Sequence, residues 1–207
     1  MIKPLAQKKV WDKIAKEWHE YKKIPSKLSV EFLNKQKGKV LDFGSGSGRH
    51  LQKIKNGKMY LVDFSKNMIE LAKEKAKENK IPSETIISDM TKTPFENNFF
   101  DSAICISALH CLNKTQQKKA IQELYRILKP DANALIGVWN KKSKRFNNPK
   151  SSEKYISWTD KGKRYYYLFE ENEIHELFKK TGFEIISSHN SEMMMNFIVK
   201  KSFHHNL

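Results

Sequence analysis

Residues 39–49 read Lys39-Val40-Leu41-Asp42-Phe43-Gly44-Ser45-Gly46-Ser47-Gly48-Arg49. The first five residues, 39–43, predict a short buried strand. Three glycines at alternate positions then turn the chain, because glycine accepts positive φ and lets a ligand approach the backbone. We expect a helix over about 48–55, so that strand, turn and helix N-terminus form a nucleotide-binding corner. The spacing G-x-G-x-G differs from the dinucleotide fingerprint G-x-G-x-x-G, which argues against an NAD enzyme.

Strand-like and helix-like segments alternate along the rest of the chain, and this alternation is typical of a parallel sheet covered by helices. The predicted strands are 39–43, 59–63, 85–89, 101–107, 134–139, 183–189 and 194–200. The predicted helices are 5–20, a short helix from Ser26 through Leu33, 48–55, 66–79, 115–128 and 171–181. The fold class that follows is α/β, a doubly wound and mostly parallel seven-stranded sheet, Rossmann-like, with an antiparallel edge hairpin.

The length of 207 residues suits one α/β domain. Within it we distinguish an N-terminal helical cap at 1–34 and a cofactor-binding core at 38–140. A basic insertion on the substrate side follows at 141–167, and a C-terminal helix with the closing hairpin occupies 168–207. No apolar run is long enough to cross a membrane, and the N-terminus has no signal-peptide core. We therefore expect a cytoplasmic protein with no membrane partner.

The two cysteines, Cys105 and Cys111, predict buried thiols rather than a metal site, since a structural zinc site needs four ligands. The net charge of +16 invites a nucleic-acid partner, but 35 of the 39 basic residues are lysine, as an AT-rich genome would give. The position of the cations is therefore more informative than their number.

One basic segment has a position that bears on function. Residues 141–167 are rich in lysine and interleaved with Phe146, Tyr155 and Trp158. They follow the fifth strand, and ligands of open α/β sheets bind beyond the carboxyl ends of the strands. Lysines suit phosphates and aromatic rings suit unstacked bases, so this segment favours RNA rather than DNA as a partner. An ordinary lysine-rich loop is the alternative.

Acidic residues end the second and third predicted strands. Asp63 lies nineteen residues beyond Gly44 and is placed to accept hydrogen bonds from a ribose diol. A role as a helix cap is the alternative, although Ser65 could cap that helix alone. Asp89, followed by the apolar Met90, suits an adenine ring and its exocyclic amine.

These features occur in the order in which class I S-adenosylmethionine (SAM)-dependent methyltransferases carry them, and residues 38–140 resemble that family. The resemblance implies that SAM is the cofactor and S-adenosyl-L-homocysteine the product. The cofactor-binding residues that it implies are Asp42, Gly44, Ser45, Gly46, Gly48, Asp63, Phe64, Asp89, Met90 and Ser107.

The flanking segments resemble a narrower family, the tRNA wobble-uridine 5-carboxymethyl methyltransferases. The matching segments are 10–15, 21–25, 31–33, 157–158 and 164–169. The resemblance implies an enzyme of tRNA modification that binds the anticodon loop and esterifies a uridine carboxylate. It also implies a small zinc-containing activator protein as a possible partner. The chain departs from this family at Lys22, where an arginine is usual, and at His110-Cys111, where two histidines are usual.

A carboxylate acceptor is already ionised at neutral pH, so the enzyme needs alignment and dehydration more than a strong base. Residues 107–110 read Ser-Ala-Leu-His, which is not the Asn/Asp-Pro-Pro-aromatic motif of amino-group methyltransferases. The candidates for holding the carboxylate are Lys22, Arg49 and Arg164, and His110 is a candidate for substrate contact. A small-molecule SAM methyltransferase and a non-catalytic binding module with this fold remain alternatives.

Overall fold

The computed structural model describes residues 4–202. The helices are α1 (Pro4–Tyr21), α2 (Lys27–Leu33), α3 (Lys66–Glu78), α4 (Lys114–Ile127) and α5 (Glu171–Lys179). The strands are β1 (Lys37–Phe43), β2 (Lys55–Asp63), β3 (Ser83–Ile87), β4 (Phe100–Ile106), β5 (Leu128–Trp139), β6 (Glu153–Ser157), β7 (Lys163–Tyr167), β8 (Phe183–Ser188) and β9 (Met194–Lys201).

Seven strands form one sheet in the order β3-β2-β1-β4-β5-β9-β8. The first five strands in this order pair in parallel, and β9 pairs antiparallel with both β5 and β8. The order reverses between β1 and β4, which is where ligands bind in sheets of this kind. The predicted doubly wound sheet with an antiparallel edge hairpin is confirmed.

Both faces of the sheet are buried, because alternate residues of the central strands point to opposite sides. On one face Leu41 and Phe43 of β1 pack with apolar residues of α4 and α5. On the other face Val40 packs with residues of α2 and α3. The pattern explains why the central strands are apolar along their length.

No helix forms over residues 48–55, and that prediction is wrong. The chain runs from the glycine turn through irregular backbone into β2, which starts at Lys55 and is four residues longer at its amino end than predicted. Gly44, Gly46 and Gly48 all have positive φ, at +83°, +53° and +74°. Since Gly48 is left-handed and only six residues separate it from β2, a regular helix has no room to start.

The fifth strand also starts earlier than predicted, at Leu128 rather than residue 134. Leu128 pairs with Phe100, and the next pair is Asn133 with Ser102. The residues between them bulge out of the ladder, and Asp131 has φ +63°. Pro130 is tolerated there because a proline in a bulge removes no ladder hydrogen bond.

The predicted insertion at 141–167 contains a two-stranded antiparallel hairpin, β6 and β7, which is separate from the main sheet. The hairpin packs on α1. The Gln7 side chain donates to the Lys163 carbonyl at 3.1 Å and accepts from the Tyr165 amide at 2.8 Å. Glu17 accepts from the Trp158 indole and pairs with Lys161. The cap helix and the insertion therefore form one unit.

Candidate functional site

A cleft of about 710 Å³ opens at the carboxyl ends of β1, β2, β4 and β5. Most of the residues named from sequence line it: Lys22, Gly44, Ser45, Gly46, Arg49, Asp63, Phe64, Asp89, Met90, Ser107 and His110. Asp42, Gly48 and Arg164 are not part of its wall. Asp42 and Gly48 lie behind the wall in the glycine segment, whereas Arg164 belongs to β7.

The glycine turn is fixed by the neighbouring strand. The amides of Gly44 and Ser45 both donate to the Val62 carbonyl at 2.9 Å. A Cβ atom on Gly44 would overlap Ala108, whereas a Cβ on Gly46 would meet only Met68 Sδ, at 4.0 Å. The turn thus lies against the loop after β4, and the absence of side chains at Gly44 and Gly46 keeps this end of the cleft open.

Asp63 ends β2 beside the turn. Its Oδ2 accepts from the Gly46 amide and its Oδ1 from the Ser65 amide, both at 2.9 Å. Burial raises the pKa of Asp63 to about 6, while the two amides act in the opposite direction. Each carboxylate oxygen has a second lone pair, so Asp63 can also accept two hydroxyl donors from the cleft.

Asp89 and Ser107 complete this half of the cleft. Asp89 is exposed, and its Oδ1 accepts from the Thr91 amide and hydroxyl at 2.8 and 2.7 Å. Oδ2 stays open toward an amine donor, and buried Met90 supplies an apolar surface next to it. Ser107, at the end of β4, has φ +62°. Left-handed backbone at a residue other than glycine costs energy and often occurs at ligand sites.

Asp42 is 1% exposed, and its Oδ2 has no hydrogen-bond partner among residues 4–202. Burial raises the pKa of Asp42 to about 7, although Arg49 acts to lower it. Because Asp42 lies behind the cleft wall, its unpaired buried oxygen lowers the stability of the ligand-free fold.

Replacing Asp42 should show how much its buried carboxyl group destabilises the ligand-free protein. In the unfolded chain its pKa is about 3.9, so between pH 4 and 7 the folded state binds more protons and loses stability as pH rises. We expect Asp42→Asn to stabilise the ligand-free protein by up to about 4 kcal/mol at pH 8 and by about 1.5 kcal/mol at pH 5. Urea unfolding at both pH values measures the difference, and an equal difference at the two values would contradict the assignment.

His110 lies in the part of the cleft that Trp139, Arg145 and Tyr166 also line, which we call the acceptor end. Its Nδ1 accepts from the Trp139 amide at 3.1 Å, and burial lowers the pKa of His110 to about 3. The imidazole is therefore neutral at pH 7, and its proton is on Nε2. Its ring lies 4.8 Å from Trp139 and 5.5 Å from Tyr166, between ring centroids. His110 can donate a hydrogen bond from Nε2, but it is a poor proton acceptor.

Three cations converge on this end of the cleft: Lys22, Arg49 and Arg145. None of them forms an ion pair with a carboxylate in the part of the chain that the structure describes. Burial, followed by the charges of Arg49, Arg145 and Arg164, lowers the pKa of Lys22. Uncompensated positive charge in one cleft favours an anionic ligand.

Arg164 occupies a different position from the one expected of a ligand-binding residue. It is 5% exposed, and its guanidinium lies 4.8 to 5.7 Å from the rings of Trp11, Trp18, Trp158 and Tyr166. Nη1 donates to the Tyr166 hydroxyl at 2.6 Å. Arg164 therefore positions Tyr166, whose ring lines the cleft, and adds positive charge behind it.

Sequence reasoning missed Arg145 and Trp139 as individual site residues. The Arg145 guanidinium lies 5.1 Å from the Trp139 ring, which stacks on Tyr166 at 4.3 Å. A signal was present, since the chain has only four arginines and three of them, Arg49, Arg145 and Arg164, lie at or behind this cleft. Among residues 4–202 no cluster of three or more His, Cys, Asp or Glu side chains could hold a metal ion.

The site fits SAM on the evidence of its own geometry. The glycine turn leaves space beside Gly46, and Asp63 has free lone pairs for a ribose diol. Asp89 and Met90 would hold the adenine.

Within the described residues no helix is long and apolar enough to cross a membrane.

Comparison with known proteins agrees with this geometry. Residues 40–131 match the methyltransferase domain family. The chain is 34% identical to the tRNA (carboxymethyluridine(34)-5-O)-methyltransferase of Arabidopsis thaliana over 101 residues, which are 48% of this chain. It spans 24% of the length of that relative. It is 29% identical to the protein of the same name from Schizosaccharomyces pombe, with 86% of this chain and 88% of the relative covered.

Solved structures share the fold. A chain in the complex of the Haloferax volcanii Trm112 methyltransferase activator with a methyltransferase superposes with a TM-score of 0.75 at 15% identity, covering 97% of this chain and 98% of that one. The Burkholderia thailandensis 1,6-didemethyltoxoflavin-N1-methyltransferase, with S-adenosylhomocysteine bound, gives 0.73 at 16% identity, covering 98% and 92%. The chain therefore has the fold of the class I SAM-dependent methyltransferases, with a methyltransferase domain at residues 40–131 and SAM as its cofactor.

Proposed function

We propose that this protein is a tRNA methyltransferase that esterifies the carboxylate of a 5-carboxymethyl-type uridine at the wobble position. The observation that carries the proposal is the set of cations Lys22, Arg49 and Arg145 at the acceptor end of the cleft, none of which forms an ion pair with a carboxylate among residues 4–202. The two relatives of this activity support the same acceptor, and one of them is similar over most of its length.

The chemistry asks for positioning rather than for a base. SAM supplies a methyl group on a positively charged sulfur. The acceptor carboxylate oxygen would form a bond to the methyl carbon while the bond from that carbon to sulfur breaks. S-adenosyl-L-homocysteine would leave as a neutral thioether, and no proton would change place. Lys22 and Arg145 would hold the carboxylate, and neutral His110 would donate from Nε2 without competing for a proton. Apolar walls that include Trp139 would exclude water from the nucleophile.

The basic insertion would hold the rest of the RNA. Lys142, Lys144 and Arg145 are exposed, whereas Lys141 pairs with Glu170 at 2.9 Å. The lysines would meet phosphates, so binding should weaken steeply as salt rises. A small activator protein is part of the proposal as well, since a structural neighbour of this chain is found in a complex with Trm112.

A small-molecule acceptor is the second candidate. It is supported by the structural similarity to the Burkholderia 1,6-didemethyltoxoflavin-N1-methyltransferase, which covers 98% of this chain at 16% identity. The same cleft cations would then bind a free carboxylate or phenolate, and binding of the acceptor would show little dependence on salt.

Methyl transfer from SAM labelled in its methyl group to bulk tRNA, followed by mild alkali, tests the proposal. We expect label to enter the tRNA and to leave with alkali, because an ester hydrolyses and a methylated nitrogen, carbon or ribose oxygen does not. Label that resists alkali would overturn the ester. If no label enters even with a Trm112-type activator added, while SAM still binds, the small-molecule candidate replaces the tRNA.

A further inference from the structure

Two aromatic rings at the mouth of the cleft are only partly buried. Tyr21 ends α1 and is 62% exposed, and Trp158 at the tip of the hairpin is half-buried. Their ring centroids lie 5.7 Å apart with an interplanar angle of 69°. We call these two rings the aromatic corner. Nearby Ile24 is 84% exposed, so this part of the surface is apolar and accessible.

The aromatic corner is continuous with the cleft. Trp18 lines the cleft, and its ring lies 6.0 Å from Tyr21 and 5.5 Å from Trp158. Buried Trp11 packs behind Trp18 at 5.2 Å. The rings thus run from the core out to the rim, where Tyr21 is the most exposed of the four.

The aromatic corner is held in place by hydrogen bonds. Glu17, one turn before Tyr21, accepts from the Trp158 indole and pairs with Lys161. The Trp158 amide donates to the Gly162 carbonyl at 2.9 Å, which closes the hairpin turn. The Trp158 ring is therefore preorganised, and an incoming planar group would lose little free energy in ordering it.

The charges around the aromatic corner select the kind of partner. Lys22 Nζ lies 4.7 Å from the centre of the Tyr21 ring, and the Arg164 guanidinium lies 4.8 Å from the Trp158 ring. Neither cation forms an ion pair with a carboxylate within the described chain. Arg164 is buried, so Lys22 is the cation of this pair that a ligand can reach. An aromatic face beside such a cation suits a planar base of an anionic chain.

We infer that the aromatic corner of Tyr21 and Trp158 stacks an unpaired nucleobase adjacent to the acceptor nucleotide. This inference rests on the proposed RNA acceptor and adds a second recognition site to it. A base lying flat on one ring presents its edge to the other, an arrangement that aromatic groups favour. The acceptor would then be recognised as part of a single-stranded loop rather than as a free nucleoside.

The test uses the full chain, with an activator if activity requires one, and two anticodon stem-loop RNAs. Each RNA carries 2-aminopurine, whose fluorescence is quenched by stacking, on one side of the acceptor uridine. We expect quenching in one of the two RNAs. With Tyr21→Leu we expect about tenfold weaker RNA binding and loss of that quenching. Tyr21→Phe, which keeps the ring, should retain both.

Kinetics separate a positioning role from a structural one. Tyr21→Leu should raise KM for the stem-loop with little change in kcat, and leave the affinity for SAM unchanged. If the wild-type protein binds and methylates the RNA but Tyr21→Leu binds it equally well, the aromatic corner does not stack a base and only this inference fails. If the wild-type protein neither binds nor methylates the RNA, the proposed function fails first.

Discussion

Asp63→Ala is expected to lower the affinity for SAM by about 1,000-fold or more. Its two carboxylate oxygens each keep a free lone pair beside the glycine turn, and hydrogen bonds to a charged acceptor contribute about 1.5 to 3 kcal/mol each. The same change leaves the Gly46 and Ser65 amides without their acceptor, which loosens the turn that forms this end of the site. Calorimetric titration of the purified variant with SAM measures the effect.

The control for this experiment is another carboxylate with a similar local role. Asp101 accepts from the Lys39 amide at 2.7 Å and pairs with Lys129 at 2.6 Å, at the amino ends of the strands. Asp101→Ala removes a comparable contact between strands on the side of the sheet away from the cleft, so it should cost stability and leave SAM binding intact. Unchanged affinity in a folded Asp63→Ala protein would refute the ribose assignment.

Arg145→Met is expected to reduce kcat/KM for tRNA by about 100-fold while the Kd for SAM stays within about threefold, since a paired charge on a substrate carboxylate contributes up to about 3 kcal/mol. Arg145 lies over Trp139 at the acceptor end of the cleft and has no carboxylate partner within residues 4–202. Methionine keeps much of the length and the packing against Trp139, so the loss isolates the charge. Steady-state methylation of tRNA measures kcat and KM separately.

Lys144→Met is the matched control. Lys144 precedes Arg145, is exposed and does not line the cleft, so it should affect only RNA affinity and its salt slope. Equal losses in the two variants would mean that the segment is a general RNA surface and that Arg145 does not hold the acceptor.

The cofactor half of the site was predictable because each residue there has a local signal. Glycines at alternate positions require a turn, and acids at the ends of parallel strands meet at one edge of the sheet. Asp63 and Asp89 therefore lie on the cleft wall as the sequence predicts. The irregular backbone over residues 48–54, where a helix was predicted, was not predictable in the same way. Its apolar residues Leu51 and Ile54 are buried in irregular backbone and so imitate the periodicity of a helix.

The acceptor half depends on contacts that no local pattern reports. The hairpin is a separate sheet whose strands alternate only weakly, and its place on α1 is set by Gln7 and Glu17 from the start of the chain. In the sequence Arg145 is one of several cations in a basic segment. Only the folded structure shows that it lines the cleft. Arg164 was predicted to hold the carboxylate, whereas aromatic rings bury it behind the cleft wall.

The joining of α1 to the hairpin limits how acceptor specificity can be transplanted between proteins of this fold. The contacts of Gln7 with Lys163 and of Glu17 with Trp158 connect residues 156 and 141 positions apart. If the hairpin of a homologue is grafted and the first helix of that homologue is not, the carboxylate that fixes the tryptophan of the hairpin is missing. Substrate preference in this architecture therefore depends on two segments that are distant in sequence. Chimeras that exchange both α1 and the hairpin should keep the acceptor side of the cleft ordered.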